Sequence, residues 1–213
     1  MIKGCIFDLD GVVVDTAKYH FKAWERLARG LGFEFTELHN ERLKGVSRMA
    51  SLNILLEVGG MTLPDSEKQK LAAQKNAWYL EYIAKMTPAE ILPGVTDFLD
   101  LLKSNGILTA LGTASKNARL ILKQIGLSGA FDFIVDGNRV SNAKPDPEVF
   151  LLAAADLQLN PRQCLVFEDA IAGVAAAHNA GMKCIGVGLP EILIQADKII
   201  TGFEDATIDL LVI

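Results

Sequence analysis

No run of apolar residues approaches the roughly 20 that a membrane-spanning helix needs, and the first residues turn acidic too early for the apolar region of a signal peptide. Positive charge is not in excess: 21 Lys and Arg stand against 26 Asp and Glu, for a net charge of −5. A broad cationic field for nucleic acid or anionic membrane is thereby excluded, although a local basic pocket is not. Only three cysteines occur, Cys5, Cys164 and Cys184, each inside an apolar, strand-like run. An odd number placed in this way reads as buried thiols of a reducing cytoplasm rather than as a disulfide or metal set. Proline is sparse at 7 of 213 residues, and no low-complexity tract or internal repeat stands out. With half of the residues hydrophobic, there is ample apolar material for a core.

That apolar material falls into short β-rich runs at residues 2–7, 107–111, 133–135, 164–167 and 183–187, each ending in Asp, Gly, Thr or Glu. Amphipathic helical patterns separate most of them, at 95–103, 118–125, 147–157 and 170–180. Apolar strands alternating with helices predict an α/β fold, a parallel sheet covered on both faces, with ligands at the C-terminal ends of the strands. Residues 16–86 break this rhythm. Helical spacing recurs there, as in His20, Ala23, Trp24, Leu27 and Leu31, and no convincing strand appears. A helical insert of about four helices is expected, which makes the core discontinuous: residues 1–15 and 87–213, with the insert at 16–86.

The first apolar run closes on GCIFDLDGVVVDT (residues 4–16), where one leucine separates Asp8 from Asp10. If the strand continues through both acids, they share a face while Leu9 takes the other. Two ionised carboxylates that close repel, and a divalent cation resolves the conflict; Mg²⁺ suits oxygen ligands and phosphate substrates. A solvated Asp-Gly turn is the alternative.

Three further segments bear on this choice. LGTASKN places Thr113 just beyond a strand at a helix start, where it can hold an anion or where Thr113 or Ser115 can cap the helix. AKPDP sets Lys144 before a double-proline turn, and alone it reads as a surface charge. LVFEDA ends a second apolar strand in Glu168 and Asp169, which could equally be acids of a helix's first turn. Acids, hydroxyl and lysine at the strand ends of one sheet together make sense as a phosphoryl-transfer centre, with a carboxylate nucleophile passing through an aspartyl-phosphate.

The order FDLDG, TAS, KPDP, FEDA resembles the haloacid dehalogenase-like phosphotransferase superfamily over nearly the whole chain. The resemblance implies a Rossmann-like core with an inserted α-helical cap, Asp8 as nucleophile and Asp10 as general acid/base. Thr113 and Lys144 would hold the transferring phosphoryl group. Mg²⁺ would be held by Asp8, the Asp10 carbonyl and Asp169, with Glu168 beside them. Within the insert, AKYHFKAW and LKGVSR, together with TASKN, resemble the sugar-phosphate mutase branch of that superfamily. Carried over by position, His20 would lie near Asp10 and the sugar. Lys44, Gly45, Val46, Ser47, Arg48 and Ser51 would line the sugar and its distal phosphate, and Lys75 would reach the sugar. Ala114, Ser115, Lys116 and Asn117 would meet the phosphate from the core side. Isolated, Ser47 is as well explained as a helix cap and His20 as a packed histidine.

The implied reaction interconverts β-glucose 1-phosphate and glucose 6-phosphate through a 1,6-bisphosphate. A sugar-phosphate phosphatase on the same core is the alternative, and a non-enzymatic phosphosugar-binding module is a third. A phosphorylated hexose is the expected partner, with no nucleic acid or membrane, and a monomer is the default. Thr113 stands where many relatives carry serine, which keeps the hydroxyl. The chain ends at Ile213 soon after an apolar run, so a curtailed final helix is expected.

Overall fold

The computed structural model describes residues 1–43 and 46–213. Six strands form one wholly parallel sheet: β1 (Gly4–Phe7), β2 (Leu108–Gly112), β3 (Phe133–Val135), β4 (Cys164–Glu168), β5 (Lys183–Val187) and β6 (Lys198–Ile200). Their spatial order is β3-β2-β1-β4-β5-β6. The order reverses between β1 and β4, and a crevice opens at such a switch point beyond the strands' carboxyl ends. Asp8 follows β1 there, and Glu168 and Asp169 lie at the end of β4.

The apolar runs became strands because both faces of the sheet are covered. Cys5 and Phe7 point into one hydrophobic layer with α5 (Val95–Ser104) and α6 (Ala118–Gln124). Ile6, between them, points into the other with α7 (Glu148–Asp156) and α8 (Ile171–Asn179). Five phenylalanines gather in the first layer. Phe7 stacks on Phe167 with ring centroids 4.7 Å apart, and Phe98, Phe131 and Phe203 surround it. Strand β6 has no counterpart among the runs read from sequence: three partly exposed residues are too few to show a period.

Between β1 and β2 the chain forms α1 (Ala17–Gly30), α2 (Glu37–Glu41), α3 (Arg48–Val58) and α4 (Asp65–Ile83). These helices enclose a hydrophobic cluster of their own around Trp24, Leu27, Phe35, Leu52, Leu55 and Leu56. The outgoing and returning chains run side by side where they meet the sheet. Val14 bridges Ile91, Leu92 N–H donates to Val13 O and Asp15 N–H donates to Glu90 O. This short antiparallel pair carries the chain into and out of the helical layer, whose Ala23, Tyr79 and Ile83 also pack into the first hydrophobic layer of the sheet.

Strand β1 stops at Phe7, three residues short of the extent that would put Asp8 and Asp10 on one face by alternation. A turn follows instead, in which Asp10 N–H donates to the Asp8 carboxylate at 2.9 Å and Val13 and Val14 N–H groups both return to Leu9 O. Leu9 is fully buried, and its burial drives the turn inward.

Replacing Phe7 with alanine empties the centre of the aromatic layer. The expected cost is about 3–5 kcal/mol, read as a lower urea midpoint with an unchanged denaturant slope.

Candidate active site

One cavity of about 1020 Å³ lies between the strand ends and the helical layer. Its floor carries Asp8, Asp10, Thr113, Lys144 and Asp169; its roof carries His20, Val46, Ser47, Arg48, Ser51 and Lys75. Ala114, Ser115, Lys116 and Asn117 form part of its wall. Lys44 and Gly45, also expected here, lie outside the described residues.

Lys144 organises the floor. Its Nζ is 2.5 Å from Asp8 Oδ1, 2.7 Å from Glu168 Oε1 and 3.3 Å from the Gly112 carbonyl. A lone lysine in sequence, it is 4% exposed here. Burial alone would depress its pKa, but Asp8 and Glu168 outweigh burial and hold it raised. Glu168 is completely buried; burial, with Asp8 nearby, keeps its carboxyl above the ordinary value against the pull of Lys144. The second Glu168 oxygen accepts from Ala170 N–H at 3.0 Å.

Asp10 differs from Asp8 in its surroundings. Burial, then the charge of Asp8, pushes its pKa up to about 6, while Thr16, whose hydroxyl donates to Asp10, pulls the other way. A carboxyl with that pKa exchanges protons readily near neutrality.

The acids fit a divalent cation by the chemistry of their donors. One oxygen each of Asp8, Glu168 and Asp169 lies within 4.8 Å of the others, and oxygen donors of this kind suit a hard cation. Gly11 makes the cluster possible. Its φ is +83°, and a Cβ there would come within 2.2 Å of Asp169 Oδ2.

Thr113 and Ser115 do not cap α6. The Thr113 hydroxyl accepts from Ser115 N–H at 3.2 Å, and the Ser115 hydroxyl from Asn117 N–H at 3.3 Å. The hydroxyls therefore shape their own loop. Ser47 does cap α3, accepting from Ala50 N–H at 3.3 Å, so its side chain has the structural role that its position suggested.

On the roof, Lys75 is 2% exposed, 3.0 Å from His20 Nδ1 and over the rings of Trp24 and Tyr79. Burial, then Arg48, lowers its pKa to about 7, against a smaller pull from Asp10. Burial, then Lys75 and Arg48, holds His20 well below its ordinary value, so the ring is neutral. With the Lys75 ammonium donating, Nδ1 accepts and Nε2 keeps the proton. Tyr79 and Asn40 also line the cavity and were not picked out from sequence. Tyr79 was in principle legible, one turn beyond Lys75 on the stripe of α4 that buries Ala72, Lys75, Tyr79 and Ile83. Asn40 left no comparable signal in the sequence.

The sequence profile of the haloacid dehalogenase-like hydrolases matches residues 2–181. The chain belongs to that family. A β-phosphoglucomutase of Bacillus subtilis is 42% identical over 99% of this chain and 94% of its own length. A phosphorylated carbohydrates phosphatase of Thermotoga maritima is 34% identical over 86% of this chain and 84% of its own. Among solved structures, a β-phosphoglucomutase of Clostridium difficile superposes with a TM-score of 0.94 at 42% identity, covering 99% of this chain and 96% of that one. The family's core-and-cap architecture is therefore the architecture of this chain. No helix among the described residues is long and apolar enough to cross a membrane.

Holding Lys75 charged in the fold is costly below its ordinary pKa of 10.5. The folded-state pKa is depressed, so this penalty is full below about pH 7 and fades as pH rises toward the unfolded value. Lys75→Met is expected to raise the unfolding midpoint at pH 6–7, with the gain over wild type shrinking by pH 9–10. Thermal unfolding of both proteins across that range checks the sign.

Proposed function

We propose that the protein is a phosphosugar mutase that interconverts β-glucose 1-phosphate and glucose 6-phosphate. The supporting observation is that a single cavity joins two unlike sets of phosphate-holding groups. The floor offers a buried acid paired with a lysine, Asp8 and Lys144, beside the Thr113 hydroxyl. Away from it, Arg48 from the roof and the loop of Ser115, Lys116 and Asn117 from the wall suit a second phosphate, since a guanidinium binds phosphate bidentately. A phosphatase needs the first set alone. A mutase needs both, because its bisphosphate intermediate must bind in either of two orientations. The 42% identity to a β-phosphoglucomutase along nearly the whole chain supports the same reading.

In the cycle, phospho-Asp8 transfers its phosphoryl group to the 6-hydroxyl of β-glucose 1-phosphate, and Asp10 takes the hydroxyl proton. The product is β-glucose 1,6-bisphosphate and a free Asp8 carboxylate. The bisphosphate turns end over end. Asp8 then attacks the phosphorus at C1, and Asp10 returns the proton to the departing C1 oxygen, which yields glucose 6-phosphate and phospho-Asp8. A carboxyl with its pKa raised to about 6 suits both directions of proton transfer. Lys144 and Thr113 hold the transferring group in line with Asp8. His20 and Lys75 orient the sugar and face Asp10 from the roof. Val46, Ser47 and Ser51 complete the sugar's enclosure. Mg²⁺, held by Asp8, the Asp10 carbonyl and Asp169 with Glu168 beside them, would neutralise charge on the phosphoryl oxygens when bound.

Residues 16–86 act as a cap on a core of 1–15 and 87–213, hinged beside the paired segments at 13–15 and 90–92. Closure excludes water and so favours a sugar hydroxyl over hydrolysis as the acceptor. The three buried, unpaired thiols suit a reducing cytoplasm, and one chain carries every group the cycle uses, so a monomer suffices.

Incubation with β-glucose 1-phosphate, Mg²⁺ and a trace of β-glucose 1,6-bisphosphate tests the reading. Glucose 6-phosphate is the expected product; free phosphate in its place would make the protein a phosphatase. Asp8→Asn should abolish both phosphoenzyme formation and turnover, because an amide cannot form the acyl phosphate. Arg48→Ala should lower mutase kcat/KM by about 10- to 100-fold, the worth of a charged hydrogen bond. Hydrolysis of acetyl phosphate, which lacks a second phosphate, should be spared, and equal losses on both would remove Arg48 from the distal site.

A further inference from the structure

Asn117 stands at the N-cap of α6, a position where asparagine ordinarily accepts a hydrogen bond from the helix's first turn. Its side chain makes no such bond. Instead its Nδ2 reaches across the cleft and donates to Asn76 Oδ1 at 3.1 Å. Asn76 lies on α4, the cap helix that also carries Lys75 and Tyr79. The two asparagines are 41 residues apart in sequence and belong to different layers of the molecule.

The loop's main chain is held from the core. Thr113 and Ser115 hydroxyls bind its N–H groups, Gly137 N–H donates to Ser115 O at 3.1 Å, and Asn138 Nδ2 donates to Lys116 O at 3.0 Å. Gly137 passes so close that a Cβ there would stand 2.2 Å from the Ala114 carbonyl. These bonds place the loop but leave the direction of the Asn117 amide open. Asn76 supplies that direction from above.

We infer that Asn76 is a positioning residue: it orients Asn117 toward the second phosphate and makes that orientation depend on the cap being seated. This deepens the mutase reading and rests on it. Asn76 moves with α4, so a raised cap releases Asn117, and the loop's grip on the distal phosphate weakens together with closure. Such coupling lets the bisphosphate loosen and turn when the cap lifts, and holds either end when it returns. A hydrolase acting on a single phosphate has no need of it.

The test compares wild type, Asn76→Ala, Asn117→Ala and the double variant, each as the full chain with Mg²⁺, after thermal unfolding has shown matched stability. Asn76→Ser replaces Asn76→Ala if the alanine variant does not fold, since serine is too short to reach Asn117. Asn76→Ala is expected to raise the KM for β-glucose 1-phosphate about 2- to 10-fold, the range of one net hydrogen bond, with acetyl phosphate turnover unchanged. In the Asn117→Ala background the same substitution should add nothing, because the two residues act through one contact. An unchanged KM, losses that multiply in the double variant, or an equal loss on acetyl phosphate would each overturn the inference. Wild-type protein that forms no glucose 6-phosphate would instead overturn the mutase reading on which it stands.

Discussion

The buried ammonium of Lys144, shared between Asp8 and Glu168, is the interaction on which the rest of the site depends. Carboxylates at the ends of β1 and β4 are brought together because those strands are neighbours at the point where the sheet order reverses. Without a cation between them they could not both stay ionised. Burying such a group of charges is not a source of stability, since desolvation offsets the attraction. The arrangement is better understood as a cost borne by a well-packed core so that the Asp8 carboxylate is held at the cavity by Lys144. The five phenylalanines behind β1 and β4 supply that support.

Chemistry on the floor does not by itself select a reaction, since the chain is similar to a mutase and to a phosphatase alike. The roof adds groups of a different kind. His20 and Lys75, both held below their ordinary pKa values by burial, line the cavity from the cap, and Arg48 adds a cation near them. The roof therefore carries adjustable charge that an anionic sugar would stabilise on entering. Its helices enclose a hydrophobic cluster of their own, while Ala23, Tyr79 and Ile83 also pack into the layer behind β1, and an antiparallel pair of linkers carries the chain between the two.

Much of this was legible in the residues. Apolar runs marked five of the six strands, and their alternation with helices marked a parallel sheet. The acids, hydroxyl and lysine following those runs marked a phosphoryl-transfer site, because strand ends of a parallel sheet converge on one edge. Sequence alternation was a poor guide to the two acids, however. The strand ends at Phe7, and burial of Leu9 produces a turn in which Asp10 binds Asp8 through its main chain.

The linear order of residue types thus determined the fold class, the helical insert and which acids, hydroxyl and lysine follow the strands, because hydrophobic period and local turn chemistry act over a few residues. Tertiary structure alone decided the strand order, the burial of Lys144, the engagement of both Glu168 oxygens and the meeting of Asn76 with Asn117. Each of these joins segments tens of residues apart, and no local pattern in a chain specifies which distant group will share its low-dielectric surroundings.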